Sequence, residues 1–194
     1  PQGSGEVLIE GGNLATAEGM ERQRILRRFG VAYQSGALFG SMTLSENITL
    51  PLEEFTRLPS EARQVISWMK LKLVGLEGFG GHLPAEVSGG MQKRAAIARA
   101  MALDPAVLFL DEPSAGLDPV TSAELDALIL RLREGLGMTF VIVTHELPSI
   151  YAVADRVVML DKQKKGIIAE GRPEDLRDHS ENPYVRRFFR REAE

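Results

Sequence analysis

Two carboxylates stand side by side where an apolar run ends, in Val107-Leu108-Phe109-Leu110-Asp111-Glu112. Such a run reads as a buried parallel strand that carries both acids to the carboxyl edge of a sheet, where open α/β sheets bind their ligands. The chemistry that fits is metal-assisted phosphoryl transfer. An aspartate there helps to hold magnesium, and the adjacent glutamate orients or deprotonates a water. Acids also end strands for purely structural reasons, so the pair needs company. Ser88-Gly89-Gly90-Met91-Gln92 opens a helix, whose free N–H groups and positive dipole end attract an anion that the glycines let come close. Taken alone it is an N-cap after a glycine turn. Ser114-Ala115-Gly116-Leu117-Asp118-Pro119 is a turn into a helix with proline at its first position. His145 follows the strand-like Thr139–Val143 with Thr144 before it, and Gln34 ends the short strand expected over Gly30–Gln34.

The elements that must position these residues follow from periodicity and punctuation. Glu6–Ile9 reads as a strand between Gly3-Ser4-Gly5 and Gly11-Gly12. Helical patterns cover about Met20–Arg28, a short stretch near Leu44–Leu50, Ser60–Val74 with Ser60 as cap, and Ser88 to about Leu103. Glu77–Val87, rich in glycine and proline, is a loop. Pro119–Leu136 places Leu125, Leu128, Ile129 and Leu132 on one stripe and stops near Gly135 or Gly137. Thr139–Val143 reads as a buried strand, Leu147–Ala154 as a helix and Arg156–Leu160 as a further strand. Lys162–Gly166 turns into Ile167–Ala169, and two short helices close the chain near Pro173–Arg177 and Pro183–Arg191. Strands alternating with helices from Ser88 to Leu160 predict an α/β fold, a mostly parallel sheet with helices on both faces.

Composition bounds the function. The 194 residues suffice for one globular domain. A net charge of −4 gives no reason to expect nucleic acid as a partner. The chain holds no cysteine, which excludes disulfides and thiolate metal sites, and its three histidines have no zinc-motif spacing. No apolar run approaches the roughly 20 residues that cross a bilayer.

Together, Gln34, Ser88–Gln92, Val107–Glu112, Ser114–Asp118 and His145 resemble, in this order, the motifs of the ABC ATPase family. They stand for the Q-loop, the signature motif (with Met91 in place of the usual glutamine), Walker B, the D-loop and the switch histidine. A narrower likeness joins Gln34-Ser35-Gly36-Ala37-Leu38-Phe39, the Met91 variant and Pro183-Tyr184-Val185-Arg186-Arg187-Phe188-Phe189. These segments look like those of the ATPase subunits of Mla-type lipid transport systems. The resemblance implies a single P-loop NTPase-type cassette over 1–194, with a helical signature subdomain over about 40–100. It implies ATP and Mg2+ as cofactors. Glu112 would be base or water-orienter, with His145 and Gln34 beside it, and Asp111 and Gln34 would face the metal. Ser88, Gly89, Gly90, Met91 and Asp118 would bind nucleotide held by a second copy. The implied partners are that second subunit, an integral-membrane permease contacting the loop from Gln34 to about Pro51, and a lipid-binding protein of the mammalian-cell-entry type. Its place would be the cytoplasmic face of the inner membrane. A soluble family member acting on DNA or ribosomes, or a non-catalytic fragment, are the competing readings.

One element of the family pattern is missing. No G-x-x-x-x-G-K-[S/T] occurs in the 194 residues, and that loop and its lysine make most phosphate contacts. The chain opens on Pro1 and runs at once into a strand-like stretch, which reads as an incomplete N-terminus or a product of processing; the family layout implies roughly 50 further upstream residues, within ordinary domain size. Losing the central P-loop strand is expected to leave the strand carrying Asp111 with an unpaired edge. The isolated 194-residue chain is therefore expected to bind ATP poorly and to give no measurable turnover in an ATPase assay.

Overall fold

The computed structural model describes residues 5–9 and 11–192. Gly3 and Ser4, expected in the first turn, lie outside the described residues. Leu8–Ile9 (β1) and Gly12–Asn13 (β2) pair antiparallel, a shorter first strand than Glu6–Ile9 predicts. Helix α1 (Gly19–Leu26) buries Ile25 and leads into β3 (Phe29–Ala32). Gln34 therefore lies two residues beyond its strand rather than at its end, in an exposed turn.

Helix α2 runs from Leu44 to Phe55, well past the Leu50 that its proline suggests. Thr43 and Glu46 form a reciprocal cap: the Thr43 N–H donates to Glu46 Oε2 at 2.7 Å, and the Glu46 N–H to Thr43 Oγ1 at 3.2 Å. Pro51 withholds one backbone donor. The stripe Leu44, Ile48 and Leu52, each no more than 2% exposed, carries the helix across it. Helix α3 (Ser60–Leu73) is capped by Pro59, not by Ser60. Pro59 already has the extended backbone of a cap, so Ser60 falls inside the first turn and makes no capping bond. After a single 3₁₀ turn at Pro84–Glu86, α4 (Gly89–Ala100) begins where Ser88 Oγ accepts the Met91 N–H at 3.3 Å.

Strand β4 (Val107–Asp111) leads to α5 (Pro119–Leu136), which buries the predicted stripe and ends on Gly137 in the left-handed region. Then come β5 (Thr139–Val143), α6 (Leu147–Val153), β6 (Val157–Asp161), β7 (Gly166–Gly171), α7 (Pro173–His179) and α8 (Pro183–Arg190).

Strands β3, β4 and β5 form a parallel sheet in that order, with Ala32 opposite Leu110 and Leu110 opposite Ile142. This corrects the expectation of an unpaired edge on β4: it has a parallel neighbour on each side. The open edges fall on β3 and β5, neither of which has a second partner among the described residues. Strand β5 is also not buried on both faces as its composition predicts. Phe140 and Ile142 pack on the core, while Val141 and Val143 are 41% and 61% exposed. Strand β6 does not extend the parallel sheet either. It pairs antiparallel with β7 through a tight turn in which Asp161 Oδ1 accepts the Lys164 N–H at 2.6 Å and Lys165 takes φ 50°. A turn that short joins antiparallel strands only.

One continuous apolar core joins α2, α3, α4 and α5 to the even-numbered residues of the sheet, including Leu108 and Leu110 at 0% and 1% exposure. On the opposite face Phe29 and Phe109 meet edge to face at 5.7 Å. A second cluster, Ile150, Leu176, Val185 and Phe189, anchors the last helices. Sheet and helix approach closely at Gly30, where an added Cβ would sit 2.1 Å from the Ala100 carbonyl oxygen. The backbone has to move to admit any side chain there. Gly30→Ala is expected to cost about 3 kcal/mol, the upper range for overpacking. Urea unfolding of the variant and the parent measures it.

Candidate functional site

Past the last residue of β4 the backbone turns sharply. Glu112 adopts φ 43°, a left-handed conformation that a non-glycine residue holds at a cost of about 1–3 kcal/mol. Several bonds hold it there. Its N–H donates to Val143 O at 2.8 Å, and its carbonyl accepts from Ala115 N–H at 3.1 Å and from Lys93 Nζ at 3.3 Å. Its carboxylate meets His145 Nδ1 at 2.7 Å through Oε1 and accepts Thr144 Oγ1–H at 3.2 Å through Oε2. The β4–β5 register produces this meeting, because Asp111 stands opposite Val143 and the next residues of both strands emerge together.

The Glu112 side chain is 18% exposed, whereas His145 is 73% exposed. An ionised carboxylate only accepts hydrogen bonds, so Nδ1 carries the hydrogen and Nε2 points away from the pair. The hydrogen bond that Nδ1 donates to Glu112, and then the Glu112 charge, raise the His145 pKa. Stabilisation from this pair is complete below the ordinary histidine value and is lost as pH rises through the elevated one. Protonated, the ring donates through Nδ1 to Glu112 and offers Nε2–H to an anion. Helix α6, which follows, is tied to α5 where Ser149 Oγ donates to the buried Asp126 at 2.9 Å. Burial pushes that carboxyl's pKa up.

Gln34 and Asp111 open on a common cavity of about 520 Å³, lined also by Tyr33, Ser35, Ala115 and Gly116. The segment that places Gln34 has no regular structure, and side chains satisfy its carbonyls. Lys93 Nζ donates to Gln34 O. Arg99 donates to Gly36 O at 3.0 Å and Ala37 O at 2.7 Å. Asn47, fully buried, accepts the Phe39 N–H at 2.8 Å and donates to the carbonyls of Phe39, Met42 and Thr43 at 3.0–3.1 Å.

The structure thus brings Glu112, His145, Gln34 and Asp111 to one end of the parallel sheet. Ser88, Gly89, Gly90, Met91 and Asp118 form a second group at the starts of α4 and α5. Gly90 packs so close to Thr121 that an added Cβ would sit 2.6 Å from its methyl. Asp118 caps α5, accepting from Val120 N–H at 3.0 Å and Thr121 N–H at 3.1 Å, and the Thr121 hydroxyl above all lowers its pKa. Ser88 and Gly89 are exposed. The Met91 side chain packs on the core, so only the backbone of that residue belongs to the helix start. Lys93 and Arg99 are the residues that motif reading misses. The available signal is slight: a lysine and an arginine on the helix that begins after Ser88.

The sequence matches the profile of the ABC transporter family over residues 1–115. It is 40% identical over 172 residues to the intermembrane phospholipid transport system ATP-binding protein MlaF of Haemophilus influenzae, covering 89% of this chain and 64% of that protein. The Escherichia coli K12 protein of the same name is 39% identical over 185 residues, covering 95% and 68%. A probable ribonucleotide transport ATP-binding protein of Mycobacterium leprae is 41% identical, covering 95% and 52%. The chain thus spans about half to two thirds of the length of these relatives. Among solved structures, the dimeric post-hydrolysis state of the cassette MJ0796 bound to ADP and Pi superposes with a TM-score of 0.76 at 32% identity, covering 88% of this chain and 74% of that one. The structure of cbiO1 from Clostridium perfringens, part of the ABC transporter complex cbiONQ, gives 0.80 at 25% identity, covering 91% and 69%.

Removing the charge of Glu112 is expected to lower the His145 pKa toward about 6.5, its unperturbed value. An NMR titration of the imidazole in Glu112→Gln checks this.

Proposed function

The chain belongs to the ABC transporter family, and from that premise we propose that it is the ATP-hydrolysing part of a transporter that moves phospholipid. The observation that carries the reading is the Glu112 carboxylate, strained into place at the end of β4 and bonded to His145 at 2.7 Å. A base and a protonatable donor held together at a strand end suit attack by water on a terminal phosphate, where catalysis is mostly positioning and charge stabilisation. Glu112 would orient or deprotonate the water, and each of its oxygens keeps a further lone pair for it. His145 would offer Nε2–H to the phosphate oxygens, and Gln34 would face the water. Ser88, Gly89 and Gly90, with the exposed start of α4, would meet nucleotide carried by a second copy, and Asp118 would link the two sites. The dimeric form named for one structural relative supports that arrangement.

The donors present fit magnesium. This cation keeps several waters and phosphate oxygens and needs only one or two protein oxygens. Asp111, exposed at the strand end, and the Gln34 amide share one cavity. Among the described residues no cluster of three acids or histidines could cage a metal without phosphate. When bound, the ion would neutralise charge developing on the phosphoryl oxygens.

We read the 194 residues as one ABC ATPase domain with a helical subdomain over about 40–100, consistent with the single core that joins α2–α4 to the sheet. A permease would dock against the segment from Gln34 to about Pro51, where Phe39 is 51% exposed. A lipid-binding partner of the mammalian-cell-entry type and the cytoplasmic membrane face complete the reading. Among the described residues no helix is long and apolar enough to cross a membrane. Phospholipid is preferred over ribonucleotide because the relatives named for phospholipid transport are matched over more of their length.

In the full-length gene product, Glu112→Gln is expected to retain ATP binding and to lower kcat by about 100-fold or more, the range for a lost general base. Steady-state phosphate release with a parallel nucleotide-binding assay measures both, and unchanged turnover removes Glu112 from its role.

A further inference from the structure

Lys93 sits in the second turn of α4, half-buried, on the side of the helix that faces the strand end. Burial lowers the pKa of the ammonium, against which the charges of Glu112 and Asp111 act. What holds it is a pair of carbonyls distant in sequence. Nζ donates to Gln34 O across 59 positions and to Glu112 O, at 3.3 Å, across 19. Both carbonyls belong to residues whose side chains enter the site. Glu112 is also the residue strained at φ 43°, so a cation on its carbonyl bears directly on the direction of its carboxylate.

We propose that Lys93 is a positioning residue for hydrolysis. Its ammonium fixes the spacing of Gln34 and Glu112 and ties both to the helix that begins at Ser88. This inference rests on the reading that Glu112 and Gln34 serve the attacking water. It differs from a general brace for the loop, because the loop has other supports. Arg99 holds the carbonyls of Gly36 and Ala37, and Asn47 holds Phe39, Met42 and Thr43. Removing Lys93 leaves those bonds in place and withdraws a donor only from the two carbonyls at the site, of which Glu112 O keeps the Ala115 N–H.

The test uses the full-length gene product with Lys93→Met, which keeps the length and removes the donor, and Lys93→Arg, whose guanidinium can again reach both carbonyls. Lys93→Met is expected to lower kcat at least about tenfold while the KM for ATP stays within about twofold, the signature of lost transition-state positioning. Its Tm is expected within about 2 °C of the parent, and Lys93→Arg is expected to recover kcat to within about threefold of the parent. Parent-like kcat in Lys93→Met overturns the proposal, and so does a fall in kcat that tracks a fall in Tm and is not recovered by arginine. Glu112→Gln, run alongside, separates the two levels. If it abolishes turnover while Lys93→Met does not, the positioning role fails and the hydrolytic reading stands. If Glu112→Gln turns over normally, the hydrolytic reading itself fails.

Discussion

A stretch of chain without helix or strand still carries one carbonyl per residue, and each one that leaves water needs a donor. Between β3 and α2 the donors come from elsewhere in the molecule. Lys93 and Arg99, about one and two thirds turns apart on α4, and Asn47 on α2 together bond to carbonyls from Gln34 to Thr43. Gly36 at φ 74° and Ala37 at φ 47° turn the chain so that these carbonyls face the helix. The glutamine at one end of this segment and the capping threonine of α2 at the other are placed by the same few side chains. The site depends on that constraint more than on any contact within it.

The two groups of functional candidates are then two faces of one helix-and-strand unit. Glu112, His145, Asp111 and Gln34 collect where parallel strands end, the place where an α/β sheet exposes its loops. Ser88–Gly90 and Asp118 collect where α4 and α5 begin, with Ser88 capping one helix and Asp118 the other. Thr121 links these starts, bonded to Asp118 and packed on Gly90. Lys93 joins the second group's helix to the first group's backbone. The local strain at Glu112 is sustained because bonds from three separate elements converge on one residue.

Elements with strong boundaries were legible in the sequence. Asp118-Pro119 and Gly137 bracket α5, the apolar stripe fixes its buried face, and Ser88 marks the start of α4. Thr139–Val143 was legible as a strand because it is rich in β-branched residues, but not its exposure, since an apolar run does not say whether a neighbour covers it. Pro51 misled because a buried stripe outweighs one lost backbone bond. The pairing of β6 with β7 followed from turn geometry rather than from strand–helix alternation. The motif residues were found by type and order. Their convergence on Glu112, and the part of Lys93 in it, depend on which carbonyls the tertiary fold leaves without a partner, and no spacing rule encodes that.

The close approach at Gly30 fixes how the first helix of the site can move. Ala100, the last residue of α4, is pressed against that glycine, so a tilt about that contact displaces the far end of the helix most. At 1.5 Å per residue, Ser88 stands about 18 Å from the fulcrum and Lys93 about 10 Å. A tilt of about 10° therefore sweeps the serine through about 3 Å and the lysine through nearly 2 Å, more than a hydrogen bond tolerates. The geometry works as a lever: the stroke that shifts the outer tip also lets go of the backbone carbonyls that the same rod was clamping.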